Sequence, residues 1–290
     1  MKTLLKVKKL NCFLSLIFFV GIYANECRSE IAEMINHKNG ATITKKNVLF
    51  FWSDAKADKY YVWVGSSRGA KDILNKNRRK QRFVRIAQLP NTKKIYFRLW
   101  TKKGGDWNYN DYSYDVVSLI KHVDFISQLD ASCSPNYLCG FASSAMLVSF
   151  FKNEPPSVEM MQRMAKFVTN QKCPTKLTNI YDYDEAIYSE IEQTRMHISP
   201  TFDDIKEQID MNNPVLTILP NYGAMGNKRC DENWTAGHSV VTVGYSSSKQ
   251  IWIIHDPLCS DGYKEIPSKL FRNAARCGGE HDVQNFLTVE

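Results

Sequence analysis

The chain has 290 residues, about twice the usual length of one domain, which argues for two folded units. Its 43% hydrophobic and 23% charged residues exclude a disordered, collagen-like or polytopic membrane protein and leave enough apolar material for sizeable cores. The formal net charge of +8 is unevenly spread: residues 25–120 hold 19 Lys and Arg against 9 Asp and Glu, whereas residues 121–290 hold 15 against 21.

The chain opens with Lys2, Lys6, Lys8 and Lys9, then the apolar run Phe13 to Ile22, then Tyr23-Ala24. Residues 1–24 therefore read as a secretory signal peptide, and the protein is expected to be secreted, periplasmic or extracellular. The run is about half of the roughly 20 residues needed to span a bilayer, so no transmembrane anchor is expected after cleavage. Asn25 and Glu26 before Cys27 are unlike the small residues that precede a lipid-attachment cysteine. Cleavage removes Cys12 and leaves Cys27, Cys133, Cys139, Cys173, Cys230, Cys259 and Cys277. An odd count in an oxidising compartment leaves one thiol over, and six cysteines allow fifteen connectivities. No Cys-x-x-Cys pair is present to suggest a structural zinc knuckle.

Residues 25–118 carry strand signals. Val48-x-Phe50-x-Trp52, Tyr60-x-Val62-x-Val64 and Ile95-x-Phe97-x-Leu99 repeat with period two, and Gly65, Gly69, Pro90 and Gly104-Gly105 punctuate them. The spacing predicts a small antiparallel β-sandwich. Basic residues crowd into Lys71 to Arg85, read as a solvated loop or as the contact for an anionic surface such as a membrane or polysaccharide. A specific nucleic-acid partner is not expected. Phe51-Trp52-Ser53, Tyr60-x-Val62-x-Val64-Gly65-Ser66, Gln88-Leu89-Pro90 and Tyr96-x-Arg98-Leu99-Trp100 together resemble the fibronectin type III-like modules of bacterial secreted enzymes. The resemblance implies a binding or spacer module; Trp52, Trp63 and Trp100 are expected to be core or sheet-face residues, with carbohydrate stacking as the alternative.

Residues 119–290 mix helix and strand. Gly140 to Lys152 places Ala142, Ala145, Met146, Ser149 and Phe150 at helical spacing, so Cys139 falls at a helix N-terminus, where free backbone donors and the helix dipole favour a thiolate. A buried or disulfide-bonded cysteine is the plainer alternative. Pro155-Pro156-Ser157 and Ser199-Pro200 signal helix entry ahead of the stripes Met160, Met164, Phe167 and Phe202, Ile205, Ile209, expected in the core. Tyr181-Asp182-Tyr183-Asp184-Glu185 reads as an acidic helix start. Asn233-Trp234-Thr235 is a glycosylation sequon.

Gly237-His238-Ser239-Val240-Val241-Thr242-Val243-Gly244-Tyr245 and Gln250-Ile251-Trp252-Ile253-Ile254-His255-Asp256-Pro257 flank a short polar turn, which is a hairpin signal. An odd loop centred on Ser247 sets His238 directly opposite Asp256. An even loop shifts the register by one residue, and a bulge restores it. An imidazole held by a carboxylate suits a cysteine nucleophile: the His takes the thiol proton, and the Asp fixes its tautomer. Gln128 supplies a neutral amide upstream, as an oxyanion donor or as an ordinary surface residue. Neither His-Glu-x-x-His nor a phosphate-binding glycine loop occurs, and no metal or cofactor is expected.

Gln128, Cys139-Gly140-x-Ala142, Asn212-Asn213-Pro214-Val215-Leu216, Gly237-His238-Ser239-Val240-Val241-x-Val243-Gly244-Tyr245 and Ile254-x-Asp256-Pro257 jointly resemble the papain-fold cysteine peptidases related to the double-glycine leader peptidases of bacterial exporters. The resemblance implies an α+β papain-like domain over residues 119–290, with Cys139 as nucleophile, His238 as general base, Asp256 as its orienting residue and Gln128 as oxyanion donor. Two positions depart from the family pattern. Gln128 and Cys139 lie eleven apart rather than about six, which sets Cys133 nearer the usual spacing, and Phe141 stands where Pro is common. Cys139 is preferred over Cys133 because Gly140 and a small-residue helix follow it. The expected activity is hydrolysis of peptide or isopeptide bonds in a peptide or protein substrate. The alternatives are an inactive peptidase-like binding or adhesion protein and an acyltransferase on the same fold.

Overall fold

In the computed structural model the described residues are 31–132, 137–176, 178–231, 233, 236–276 and 285–289. The leader at residues 1–24, Cys27, Cys133, Cys277 and the sequon residues Trp234 and Thr235 lie outside them.

Seven strands form the amino-terminal half: β1 (Thr42–Thr44), β2 (Lys46–Phe51), β3 (Lys59–Gly65), β4 (Leu74–Arg79), β5 (Phe83–Gln88), β6 (Lys94–Lys103) and β7 (Asp106–Leu119). β2 and β5 pair with each other, while β4, β3, β6 and β7 form an antiparallel ladder that β1 joins in parallel along β7. Successive side chains of a strand point to opposite faces. Val48, Phe50, Tyr60, Val62, Val64, Ile95, Phe97 and Leu99 accordingly share one buried cluster, in which the Phe50 and Phe97 rings lie 4.8 Å apart. Trp52 belongs to that core, whereas Trp63 and Trp100 stand on the outer face. The basic run Lys71 to Arg85 is largely strand and not loop, since β4 and β5 occupy most of it. An exposed edge strand and a solvated loop share the same polar composition, and charged side chains on β4 guard that edge against further pairing.

The carboxy-terminal half contains α1 (Cys139–Lys152), α2 (Val158–Thr169), α3 (Ile180–Ile191), β8 (Arg195–His197), α4 (Phe202–Met211), β9 (Val215–Leu219), β10 (His238–Ser246), β11 (Ile251–His255), β12 (Tyr263–Pro267), α5 (Ser268–Ala275) and β13 (Phe286–Thr288). Short 3₁₀ segments cover Gln128–Asp130 and Tyr222–Lys228. The helix starts have chemical causes: Ser157 Oγ accepts from the Met160 N–H, and Asn179 with Asp182 and Thr201 with Asp204 form capping boxes. Asp182 is thus spent on capping α3. The buried stripe of α2 runs through Met160, Met161, Met164 and Ala165, which turns Phe167 outward, 59% exposed, contrary to its expected place in the core. Phe202, Ile205 and Ile209 are buried as their spacing predicts.

α1 is almost wholly buried beneath α2, α3 and β10. β10 pairs with β9 and β11, and also with the end of β7, where Leu119 faces Gly244 and Ser118 faces Tyr245. That last pairing unites both halves in one eleven-stranded sheet. It requires glycine: a Cβ on Gly244 would sit 2.6 Å from the Ser118 carbonyl oxygen. Asp210 closes the same junction, accepting from Ser118 Oγ at 2.7 Å and Tyr245 Oη at 3.1 Å and pairing with Lys45 Nζ at 2.8 Å. Among the described residues no helix is long and apolar enough to cross a membrane.

Candidate active site

Three element ends converge. Cys139 is the first residue of α1, His238 the first of β10, and Asp256 follows the last residue of β11. Ser143 Oγ ties the first turn of α1 to β10 by donating to the Ser239 carbonyl at 3.1 Å. Next to the thiol, Gly140 leaves room for the Tyr183 ring, which a Cβ at that position would strike. Phe141, in the position where Pro is common in the resembling family, is fully buried and meets Tyr183 edge-on at 5.6 Å between centroids.

The hairpin register differs from the symmetric one. Near the turn Ser246 faces Ile251 and Tyr245 faces Trp252, so the loop has an even number of residues. A bulge between Thr242 and Gly244 then brings Thr242 opposite Ile254 and Val241 opposite His255. The even loop moves His238 out of parity with Asp256 and the bulge restores it, leaving the pair diagonal on one face.

His238 Nε2 donates to Asp256 Oδ1 at 2.7 Å, with both side chains buried. A carboxylate only accepts, so Nε2 carries the proton and Nδ1 is left to the thiol of Cys139, with which His238 is hydrogen bonded. Asp256 has two more donors: Leu258 N–H to Oδ1 at 3.0 Å and Tyr222 Oη–H to Oδ2 at 2.6 Å. The Tyr222 ring also lies over His238, 4.5 Å between centroids. Tyr222 was not predicted from sequence; it sits in an irregular 3₁₀ segment with no periodicity to mark it.

Burial is the strongest influence on all three groups, and the partners overrule it. Burial raises the Cys139 thiol, but the hydrogen bond and charge of His238 and the hydrogen bonds from Ser239 bring it below the ordinary thiol value. Burial disfavours imidazolium, yet Asp256 and Cys139 hold His238 well above the ordinary imidazole value. Asp256, resisting its own burial, stays below the usual carboxylate range through His238, Tyr222 and the Leu258 amide. Together these shifts favour the charged form of each group, with Cys139 and His238 each stabilising the other's ionised form beside a carboxylate.

Cys139 is a free thiol, while Cys230 and Cys259 are disulfide-bonded to each other and Cys173 is also in a disulfide. The Cys230–Cys259 sulfurs and the Asp256 carboxylate lie within 4.8 Å of one another. Sulfurs bonded to each other leave no thiolate for a metal, so the cluster is a staple. It fixes both supports of Asp256: the Cys230 N–H donates to Tyr222 Oη at 3.1 Å, and the Cys259 N–H donates to the Asp256 carbonyl at 3.0 Å. Gln128 is buried, and its N–H donates to the Pro257 carbonyl at 2.8 Å, one residue past Asp256. Ser127 Oγ reinforces that contact on the same carbonyl at 2.9 Å.

A model of the Peptidase_C39 like family matches residues 120–276, more than half of the chain and the part that holds Gln128, Cys139, His238 and Asp256. No curated protein matches the chain in sequence. Among solved structures it is similar to a C39-like peptidase from Bacillus anthracis, at 15% identity and a TM-score of 0.43 over 61% of this chain and 98% of that one. It is also similar to xylellain, a cysteine protease from Xylella fastidiosa, at 13% identity and a TM-score of 0.32 over 53% of this chain and 79% of that one.

Proposed function

The chain belongs to the Peptidase_C39 like family, and we propose that it is a secreted thiol peptidase acting on peptide or isopeptide bonds through Cys139, His238 and Asp256. The observation that carries this reading is a free, buried cysteine on a helix N-terminus, hydrogen bonded to a histidine whose other ring nitrogen is held by a carboxylate at 2.7 Å.

The chemistry follows from that geometry. The Cys139 thiolate attacks the scissile carbonyl carbon, and the tetrahedral oxyanion accepts from the Cys139 N–H and the Gln128 carboxamide, a donor set worth about 2.7 to 4 kcal/mol per member. The C–N bond breaks as His238 gives its Nδ1 proton to the leaving amine, and the acyl group remains on sulfur as a thioester. A water that loses its proton to His238 then attacks the thioester, releasing the acid and regenerating the thiolate. Asp256 holds the ring and stabilises its positive charge throughout. Acyl transfer to an amine acceptor would use the same intermediate, but nothing in the site favours it over water. The free state of Cys139 supports the enzyme reading over an inactive binding protein.

The amino-terminal half is read as a fibronectin type III-like module that holds the enzyme against an anionic surface; its excess of basic residues supports this. Export rests on the leader sequence, and the Cys230–Cys259 disulfide is in keeping with it.

The test is iodoacetamide labelling of the natively oxidised protein at about pH 6, where an ordinary thiol with pKa near about 8.5 reacts little. Peptide mass mapping should find the label on Cys139 and show it strongly reduced in His238→Ala. Label on Cys133 instead would move the nucleophile. No reactive thiol in folded protein would replace the enzyme by a binding module.

A further inference from the structure

The outer face of the amino-terminal ladder is unlike an ordinary solvated sheet. Tyr61, Trp63, Lys71, Asn75, Trp100 and Trp107 line a pocket of ≈ 380 Å³ there. The indoles form its walls: Trp63 meets Trp100 at 71° with 5.0 Å between centroids, and Trp107 meets Trp100 at 88° with 6.3 Å. Cross-strand register builds this array, since Tyr61 faces Trp100, which faces Tyr109, and Trp63 faces Asn75. Trp107 is exposed and Tyr61, Trp63 and Trp100 are half-buried, and a concave cluster of aromatic side chains that no core requires marks a binding site. The core lies on the other face of these strands.

Among the described residues the charged group lining the pocket is Lys71, and Lys59 and Lys102 flank Trp107. Lys71 Nζ lies 5.3 Å from the Trp63 centroid, and Lys59 and Lys102 lie 5.6 and 5.9 Å from that of Trp107. Among the described residues none of these three lysines forms a salt bridge. The carboxylates on this face of β7 are already engaged, Asp111 by Arg98 at 2.7 Å and Asp115 by Lys94 at 3.6 Å. Asp58 and Asp72, beside Lys59 and Lys71, accept from the Gly104 and Ser66 N–H groups at 3.0 and 3.1 Å, so an incoming ligand meets three lysines that form no salt bridge among the described residues.

We propose that this face binds an acidic oligosaccharide. The C–H faces of a pyranose ring pack on indole, the Asn75 carboxamide can both donate to and accept from sugar hydroxyls, and the lysines take the carboxylate or sulfate. Single-stranded nucleic acid fits less well, because successive bases stack on accessible parallel platforms and these rings are steeply inclined to one another. The assignment rests on reading the amino-terminal half as an anionic contact module and is independent of the peptidase chemistry.

The test is titration of the full chain, followed by tryptophan fluorescence and calorimetry, with oligogalacturonate, a heparin oligosaccharide, a neutral cello-oligosaccharide and oligothymidylate at about 0.15 M salt. One of the acidic sugars is expected to bind best, and which one identifies the acid group. Trp63→Ala and Lys71→Gln should each weaken binding about tenfold. Lys71 is exposed, so its variant stays informative if Trp63→Ala folds poorly. Equal binding of the neutral sugar, tighter binding of oligothymidylate, or no binding at all overturns the proposal. Acidic-sugar binding that survives both substitutions but is lost in a triple Arg78→Gln, Arg79→Gln, Lys80→Gln variant overturns the pocket while sparing the anionic contact module.

Discussion

At the scale of single residues, ionisation in the site sets a window for activity. Cys139 lies below the ordinary thiol value, so the rising limb of kcat/KM against pH should fall below about 8.5, and His238, held above the ordinary imidazole value, puts the falling limb above about 6.5. Tyr222→Phe removes one of three donors to Asp256 and leaves the Cys230 N–H without its acceptor, so kcat should fall about tenfold with little change in KM. An unchanged kcat would reduce Tyr222 to packing. His255 makes a separate prediction. Burial, against the opposing charge of Asp124, pushes its imidazole down to about 4, and Nδ1 has no hydrogen-bond partner among the described residues. A depressed folded-state value means this contribution is fully present above about 6.5 and lost as pH falls through about 4, up to about 3 kcal/mol. Urea unfolding at both ends of that range should show His255→Gln losing less stability than the parent; parallel losses would refute the buried neutral imidazole. Cys139, His238 and Asp256 were legible in the sequence because each sits where a period changes or a strand ends. Tyr222 and the role of Cys230 were not, since contacts across an irregular loop leave no periodic trace.

Among the elements, alternation marks the strands of the amino-terminal half, and Pro155-Pro156-Ser157, Ser199-Pro200 and the acidic run from Tyr181 mark the helix starts; of the residues that cap locally, Ser157 lies in these motifs, while Asn179 and Thr201 lie just outside them. The hairpin β10–β11 was foreseen as a pair with two candidate registers, and the bulge decided between them in a way that local composition does not encode. Disulfide connectivity was equally hidden, because fifteen pairings are compatible with six cysteines. The Cys230–Cys259 bond closes a separation of 29 residues and contributes about 3 to 4 kcal/mol in the chain-entropy picture. Its position suggests more than stability, for it ties the Tyr222 segment to the turn after Asp256. A Cys230→Ser, Cys259→Ser double variant, assayed well below its melting temperature, should keep its fold but lose kcat to a similar degree as Tyr222→Phe. Combining it with Tyr222→Phe should then add little further loss. Fully multiplicative losses would show that the staple acts on the site by another route.

For the whole molecule, the question is how two regions of opposite charge act as one body. Pattern and composition mark a change of character near residue 119; Val116 belongs to one hydrophobic cluster and Val117 to the other. What the sequence did not reveal is that β7 runs through that change and pairs with β10, because a strand shared by two cores looks like the end of one of them. The junction is polar: Lys45, Ser118 and Tyr245 all converge on Asp210, with Tyr245 Oη also 3.3 Å from Asn91 Oδ1. Lys45 is 6% exposed, so removing the carboxylate charge leaves an ammonium group with little water to replace it. Asp210→Asn should therefore cost about 2 kcal/mol and lower Tm by about 5 °C. Calorimetry of the parent should show a single transition, since neither sheet half can open without exposing the β7–β10 edge. In Asp210→Asn the amino-terminal half should melt first, with the thiol reactivity of Cys139 preserved through that first step. Two transitions in the parent would instead show that the shared strand does not couple the halves, and the substitution should then shift neither.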